Sequence, residues 1–149
     1  MMRAFVLVVA LAACAPTGEA PKQEASGEQQ GLPAPTPDDV AVRITAEQNG
    51  QTVEVGVNQR FAVELVGVPT AGYVWQPAQV PDFITRAGEA SGNTIAEQSQ
   101  PGYAGGNHWE VLMFSATAAG TGELVIEQRR PWESTEPASQ TFRVTITAR

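Results

Sequence analysis

Apolar and polar residues alternate in short runs along most of this chain. Val42 and Ile44 are followed by Val53, Val55 and Val57, then by Phe61, Val63 and Leu65. Further on come Tyr73 and Trp75, Phe83-Ile84-Thr85, Thr94-Ile95-Ala96, the stretch 109–117, Leu124-Val125-Ile126, and Phe142, Val144 and Ile146. A period of two in runs rich in β-branched residues predicts strands, because successive side chains of a strand point to opposite faces. Asn49-Gly50, Val57-Asn58-Gln59 and Ala119-Gly120-Thr121-Gly122 read as turns between them. No apolar i, i+3, i+4, i+7 pattern persists for three turns. About seven or eight strands are expected in roughly 110 residues, an all-β chain folded as an immunoglobulin-like β-sandwich. Trp75, on a short strand, is expected in the core, and packing is also the expected role of Trp109.

The first 39 residues do not share this pattern. Arg3 precedes an unbroken apolar run from Ala4 to Ala13, too short for a permanent span, which needs about 20 residues. A charged start, a short apolar centre and small residues at its end predict a secretory signal over 1–13. The run closes with Leu11-Ala12-Ala13-Cys14, which resembles the lipobox of bacterial lipoproteins. That resemblance implies lipidation of Cys14, anchorage in the cell envelope, and sorting to the outer membrane because Ala15 rather than Asp follows. The bland alternative is an ordinary signal peptide with a chance cysteine. Residues 14–39 are dominated by Pro, Gly, Glu, Gln and Ala, and are expected to form a disordered tether. The domain is expected over 40–149.

Composition narrows the chemistry. Cys14 is the one cysteine, so no internal disulfide can form. Sixteen acidic residues outnumber nine basic ones, of which Arg3 lies in the leader. This balance opposes binding to nucleic acid or to an anionic membrane surface, both of which require clustered Lys and Arg. His108 is the one histidine, and no Cys/His/Asp cluster has metal-ligand spacing. Neither a nucleophile elbow nor a phosphate-cradling glycine loop is present. The chain is expected to be no enzyme, to need no metal or cofactor, and to be monomeric.

Three loops stand out instead. In Gly67-Val68-Pro69-Thr70-Ala71-Gly72-Tyr73, Pro69 fixes one backbone angle and Gly72 is free to take a positive φ. Thr70 then sits at the tip of a stiff loop. Gln100-Pro101-Gly102-Tyr103-Ala104-Gly105-Gly106-Asn107 has paired glycines that let another backbone approach closely. Arg129-Arg130-Pro131-Trp132-Glu133 places an indole beside a proline and arginines, and Trp and Arg are enriched at interface hot spots. The alternative for Trp132 is to fold back over a sheet edge.

A Pro-Thr-x-Gly-Tyr loop, a Gly-Gly loop and an Arg-Pro-Trp loop, in this order, resemble the chagasin family of cysteine-peptidase inhibitors, over about 40–149. The resemblance implies that the three loops cluster at one end of the sandwich and enter the active-site cleft of a papain-like peptidase. By this resemblance Pro69, Thr70, Ala71 and Gly72 belong to the first motif, Ala104, Gly105 and Gly106 to the second, and Arg130, Pro131 and Trp132 to the third. The chain departs from the family pattern at Val68, where Asn is usual, at Ala71, which replaces a threonine, and at Tyr103 in the Gly-x-Gly-Gly motif. The implied function is reversible inhibition of a papain-like cysteine peptidase. The alternative is a non-inhibitory envelope module that recognises a protein or a glycan through residues such as Tyr103 and Trp132.

Overall fold

The computed structural model describes residues 31–149. The predicted signal 1–13 and Cys14 lie outside the described residues, as does most of the expected tether.

Eight strands form two four-stranded sheets. They are β1 (Val42–Thr45), β2 (Thr52–Val55), β3 (Arg60–Gly67), β4 (Val74–Gln79), β5 (Ile84–Asn93), β6 (His108–Ala116), β7 (Gly120–Arg129) and β8 (Gln140–Ala148). One sheet has the order β1-β3-β6-β5 and the other β2-β8-β7-β4. The chain crosses from β1 to β2 in the opposite sheet and back to β3. Accordingly β1 pairs parallel with β3 and β2 parallel with β8, whereas every other pairing is antiparallel. This is the immunoglobulin-like β-sandwich that the alternation predicted.

Between the sheets lie Ile44, Phe61, Val63, Leu65, Leu112, Phe114, Leu124, Ile126, Val144 and Ile146, all buried. The Phe61 and Phe114 rings face each other across the β3–β6 pair with centroids 5.6 Å apart. Each such side chain contributes about 1.5–3 kcal/mol by leaving water. Trp75 is in this core, as expected.

The outer face of the first sheet is apolar as well. Ala62, Val111 and Met113 form a second cluster there with Val40, and Ala34 and Ala90 pack against it. The cover is supplied by residues 31–40, so the structure corrects the expected tether, which ran to Asp39. Thr36 is buried, and its Oγ1 donates a hydrogen bond of 2.5 Å to the buried Glu64. Leu32 N–H donates to the carbonyl of Thr94. Asp39 pairs with Arg60. A sequence rich in proline resembles a linker, but these prolines pre-set an extended path that lies flat on a sheet.

Strand β5 reads ITRAGEASGN, and only its beginning was predicted. Ala90 and Gly92 are small where the 31–40 segment must pass: a Cβ on Gly92 would lie 3.1 Å from the Pro35 ring. The expected strand at Thr94-Ile95-Ala96 is absent, and Ala96–Ser99 is instead a single 3-10 turn. Gly120 and Gly122, expected in a turn, lie within β7. They leave room for the Phe83 and Pro81 rings that pack across them. A Cβ on Gly120 would sit 2.7 Å from Phe83 Cδ1. The substitution Gly120→Ala is therefore expected to cost about 1–3 kcal/mol through displacement of that ring, read as a lower urea midpoint.

Candidate functional site

The three singled-out loops leave the sandwich at the same end. Gly67, the last residue of β3, pairs with His108 at the start of β6, which pairs with Asn93 at the end of β5. In the other sheet Val74, at the start of β4, pairs with Arg129 at the end of β7. The register of five strands thus brings loop 68–73, loop 94–107 and loop 130–139 to one end of the sandwich.

The first loop is closed at its base by two hydrogen bonds between Val68 and Tyr73, N–H to O in both directions, at 3.2 and 3.3 Å. Above this bridge Pro69–Ala71 make one 3-10 turn, with Ala71 N–H bonded to the Val68 carbonyl and Gly72 N–H to that of Pro69. Gly72 is left-handed, with φ 82°. Its missing Cβ also serves packing, because any Cβ there would overlap the Trp132 ring. Pro69, Thr70 and Ala71 are exposed at the tip. Val68 cannot brace the turn as an asparagine side chain would. The bracing comes from the third loop instead.

Arg130 provides it. Its Nε–H donates to the Ala71 carbonyl at 3.0 Å, and its guanidinium lies 4.5 Å from the centroid of the Tyr73 ring. A cation over an aromatic face adds attraction to the fixed geometry. Nη1 pairs with Glu133 at 3.0 Å, and that hydrogen bond raises the guanidinium pKa further, so the charge is permanent. Glu133 N–H closes a turn onto the Arg130 carbonyl, with Pro131 and Trp132 at its exposed centre. Trp132 is 69% exposed, so it does not fold back as a sheet cover. It rests on Gly72 and presents the rest of its ring to solvent.

The second loop joins through Gly105, where a Cβ would lie 4.0 Å from Thr70 Oγ1. Gly102, Gly105 and Gly106 all have φ between 81° and 95°. Ala104 is exposed beside them. Gln98 ties the stems: its Oε1 accepts from Thr94 N–H at 2.6 Å, and its Nε2 donates to the Asn107 carbonyl at 2.7 Å. His108 Nδ1 is 3.3 Å from the Gly106 carbonyl. All ten predicted loop residues therefore lie at one end of the sandwich. Gln98 carried no motif that would have marked it.

Below the first loop the two sheets are bridged by Trp75 and Glu110. Trp75 Nε1–H donates to the Val66 carbonyl at 2.9 Å, and Trp75 N–H donates to Glu110 Oε2 at 2.8 Å. Glu110 stands opposite Leu65 on the inward face of β6. Gly67 is glycine because a Cβ would overlap the Glu110 carboxylate. Glu110 Oε1 is buried without a hydrogen-bond partner. A single Glu amid Trp109, Val111, Leu112, Met113 and Phe114 was the available signal for this bridge. No group of His, Cys, Asp and Glu that could hold a metal ion occurs among the described residues.

Residues 54–146 match the family model described as chagasin family peptidase inhibitor I42. The chain belongs to this family. It is 28% identical over 92 residues to Amoebiasin-1 of Entamoeba histolytica, a match covering 60% of this chain and 82% of that protein. Its fold is that of the cysteine protease inhibitor EhICP2 of Entamoeba histolytica, with a TM-score of 0.61 at 19% identity over 76% of this chain and all of the other. Amebosin is similar, with a TM-score of 0.56 at 24% identity over 72% of this chain and 97% of the other. The chagasin-family sandwich is thus the fold that the motifs implied.

Desolvation raises the Glu110 pKa above the usual value near 4.5, with a further contribution from Glu89, against opposing effects of the Trp75 hydrogen bond and His108. Below the unfolded-state value both states are protonated. As pH rises, the unfolded chain releases the proton first, so this residue's contribution to stability falls until the folded pKa is passed. Glu110→Gln does not titrate. Its stability relative to the native chain is expected to improve from about pH 4 to about pH 7, read from urea midpoints. A relative stability that worsened over that range would contradict the assignment.

Proposed function

We propose that this chain is a reversible inhibitor of papain-like cysteine peptidases that fills the active-site cleft with its three clustered loops. The observation that carries this reading is the exposed Trp132 seated on Gly72, beside a loop tip locked by Arg130. Each part has a physical role. The tip 69–71 is a closed turn, whereas a peptidase attacks a segment drawn out in its cleft. A turn bonded across its base and held from the side resists that extension, so it covers the thiolate without bringing a carbonyl into attack geometry. Trp132 supplies a broad apolar surface that loses water on contact. The exposed Ala104 and Gly106 allow close backbone approach on the other side of the tip. Because the first and third loops are already in contact with each other, they require little ordering on binding.

The N-terminal sequence supports a location for this activity. A charged start, a short apolar run and Leu11-Ala12-Ala13-Cys14 favour export and lipidation of Cys14, with the domain held at the cell envelope, on the outer membrane. Inhibition at that site acts on peptidases that reach the cell surface or share its envelope compartment.

Trp132→Ala is expected to weaken inhibition of papain about tenfold or more while leaving the urea midpoint unchanged, because the ring is mostly exposed. An unaltered inhibition constant would remove the anchor from this reading.

A further inference from the structure

The second loop is the least self-supporting of the three. It contains three glycines at positive φ, and its tip meets the first loop only through Thr70 and Gly105 at a distance. Its stiffness must come from its stems.

One residue of the 31–40 segment spans both stems. Leu32 N–H donates to the carbonyl of Thr94, just before the loop, at 2.7 Å. The Leu32 carbonyl accepts from Trp109 Nε1–H, just after the loop, also at 2.7 Å. Thr94 Oγ1 in turn donates to the Asn107 carbonyl at 3.0 Å, which closes the stems on themselves. The segment is held at its far end by a different part of the sheet. Pro35 lies on Gly92, Thr36 bonds to Glu64, Arg43 Nη2 donates to the Thr36 carbonyl, and Val40 is buried with Ala62, Val111 and Met113. The segment therefore runs as a strap across the first sheet to the loop end of the domain. It lies ahead of residues 54–146, the stretch that matches the family model.

We propose that this strap is a positioning element of the inhibitor, which holds the stems of the second loop in the geometry the peptidase meets. The inference rests on the peptidase reading given above. In it the binding end is built from four chain segments, of which Leu32 and Trp109 act through the loop rather than on the enzyme. Trp109, expected only to pack, serves as the donor that links strap and stem.

The test compares the full chain with Trp109→Phe, which keeps a ring but removes the N–H donor, and with Leu32→Pro, which removes the other donor. Amide hydrogen exchange is read throughout, alongside the inhibition constant for papain. Both variants are expected to raise exchange in 94–107 about tenfold with 68–73 and the strands unchanged, and to weaken inhibition about tenfold. Added to Gly106→Ala, which already distorts the loop, they are expected to weaken inhibition little further. Unchanged exchange in 94–107 would overturn the proposal, as would a rise spread over both sheets, which marks a general structural role. Unchanged inhibition in spite of a loosened loop would overturn it as well. If the unaltered chain fails to inhibit papain while exchange in 94–107 still rises in the variants, the peptidase reading fails and the bracing stands.

Discussion

The β3–β6 pair carries apolar side chains on both faces, and both faces must be kept from water. Phe61, Val63, Leu65, Leu112 and Phe114 point inward, whereas Ala62, Val111 and Met113 point outward. The second sheet covers the inner face. An antiparallel sheet usually leaves its other face to solvent, and its strands then alternate cleanly. Here the outer face is covered by residues 31–40, and the neighbouring strand adapts to that cover. Ala90 and Gly92 of β5 are small where the segment passes, and the buried Glu64 is satisfied by Thr36 and faces Arg43 at 3.8 Å.

The same register that stacks the sheets aligns the ends of β3, β5 and β7 with the starts of β4 and β6. Loops drawn from distant parts of the sequence meet there without a disulfide. In place of a covalent link, the third loop holds the first through Arg130, the Tyr73 ring and the Trp132–Gly72 contact. Beneath them Trp75 and Glu110 fasten the sheets together. The Glu110 carboxylate is costly to bury, and the bond from Trp75 N–H offsets part of that cost. A site fixed in this way from below and from the side changes little on meeting a rigid cleft, which favours slow dissociation.

Much of the fold was legible because strands with one wet face alternate. The alternation of 53–57, 61–65 and 142–146 led directly to β2, β3 and β8. It failed in β5, where the strap asks for Gly and Ala rather than β-branched residues, and at Gly120 and Gly122, where absent side chains make room for Phe83 and Pro81. Residues 31–39 looked like a linker because their contacts run largely through backbone atoms and proline rings, which hydropathy does not register. In the site, Pro69, Gly72, Gly105, Gly106, Arg130, Pro131 and Trp132 could be picked out because each has an unusual backbone preference or an unusual place for a large side chain. Gln98 and Leu32 could not, since ordinary residue types acquire their roles there only when the strands pair, and Glu110 was marked only by its apolar neighbours. The bracing of the first loop was likewise hidden: Val68 lacks the asparagine amide, and the replacement comes from Arg130, 62 positions further along the chain.

The central claim is that these interlocked loops occupy the cleft of a papain-like peptidase without being cut. A titration of papain with the purified chain, followed by recovery of that chain, tests it most directly. The account predicts loss of peptidase activity at one-to-one stoichiometry, competitive with substrate and reversed on dilution, with the chain recovered intact. Full activity at excess protein, or steady digestion of the first loop, would contradict it.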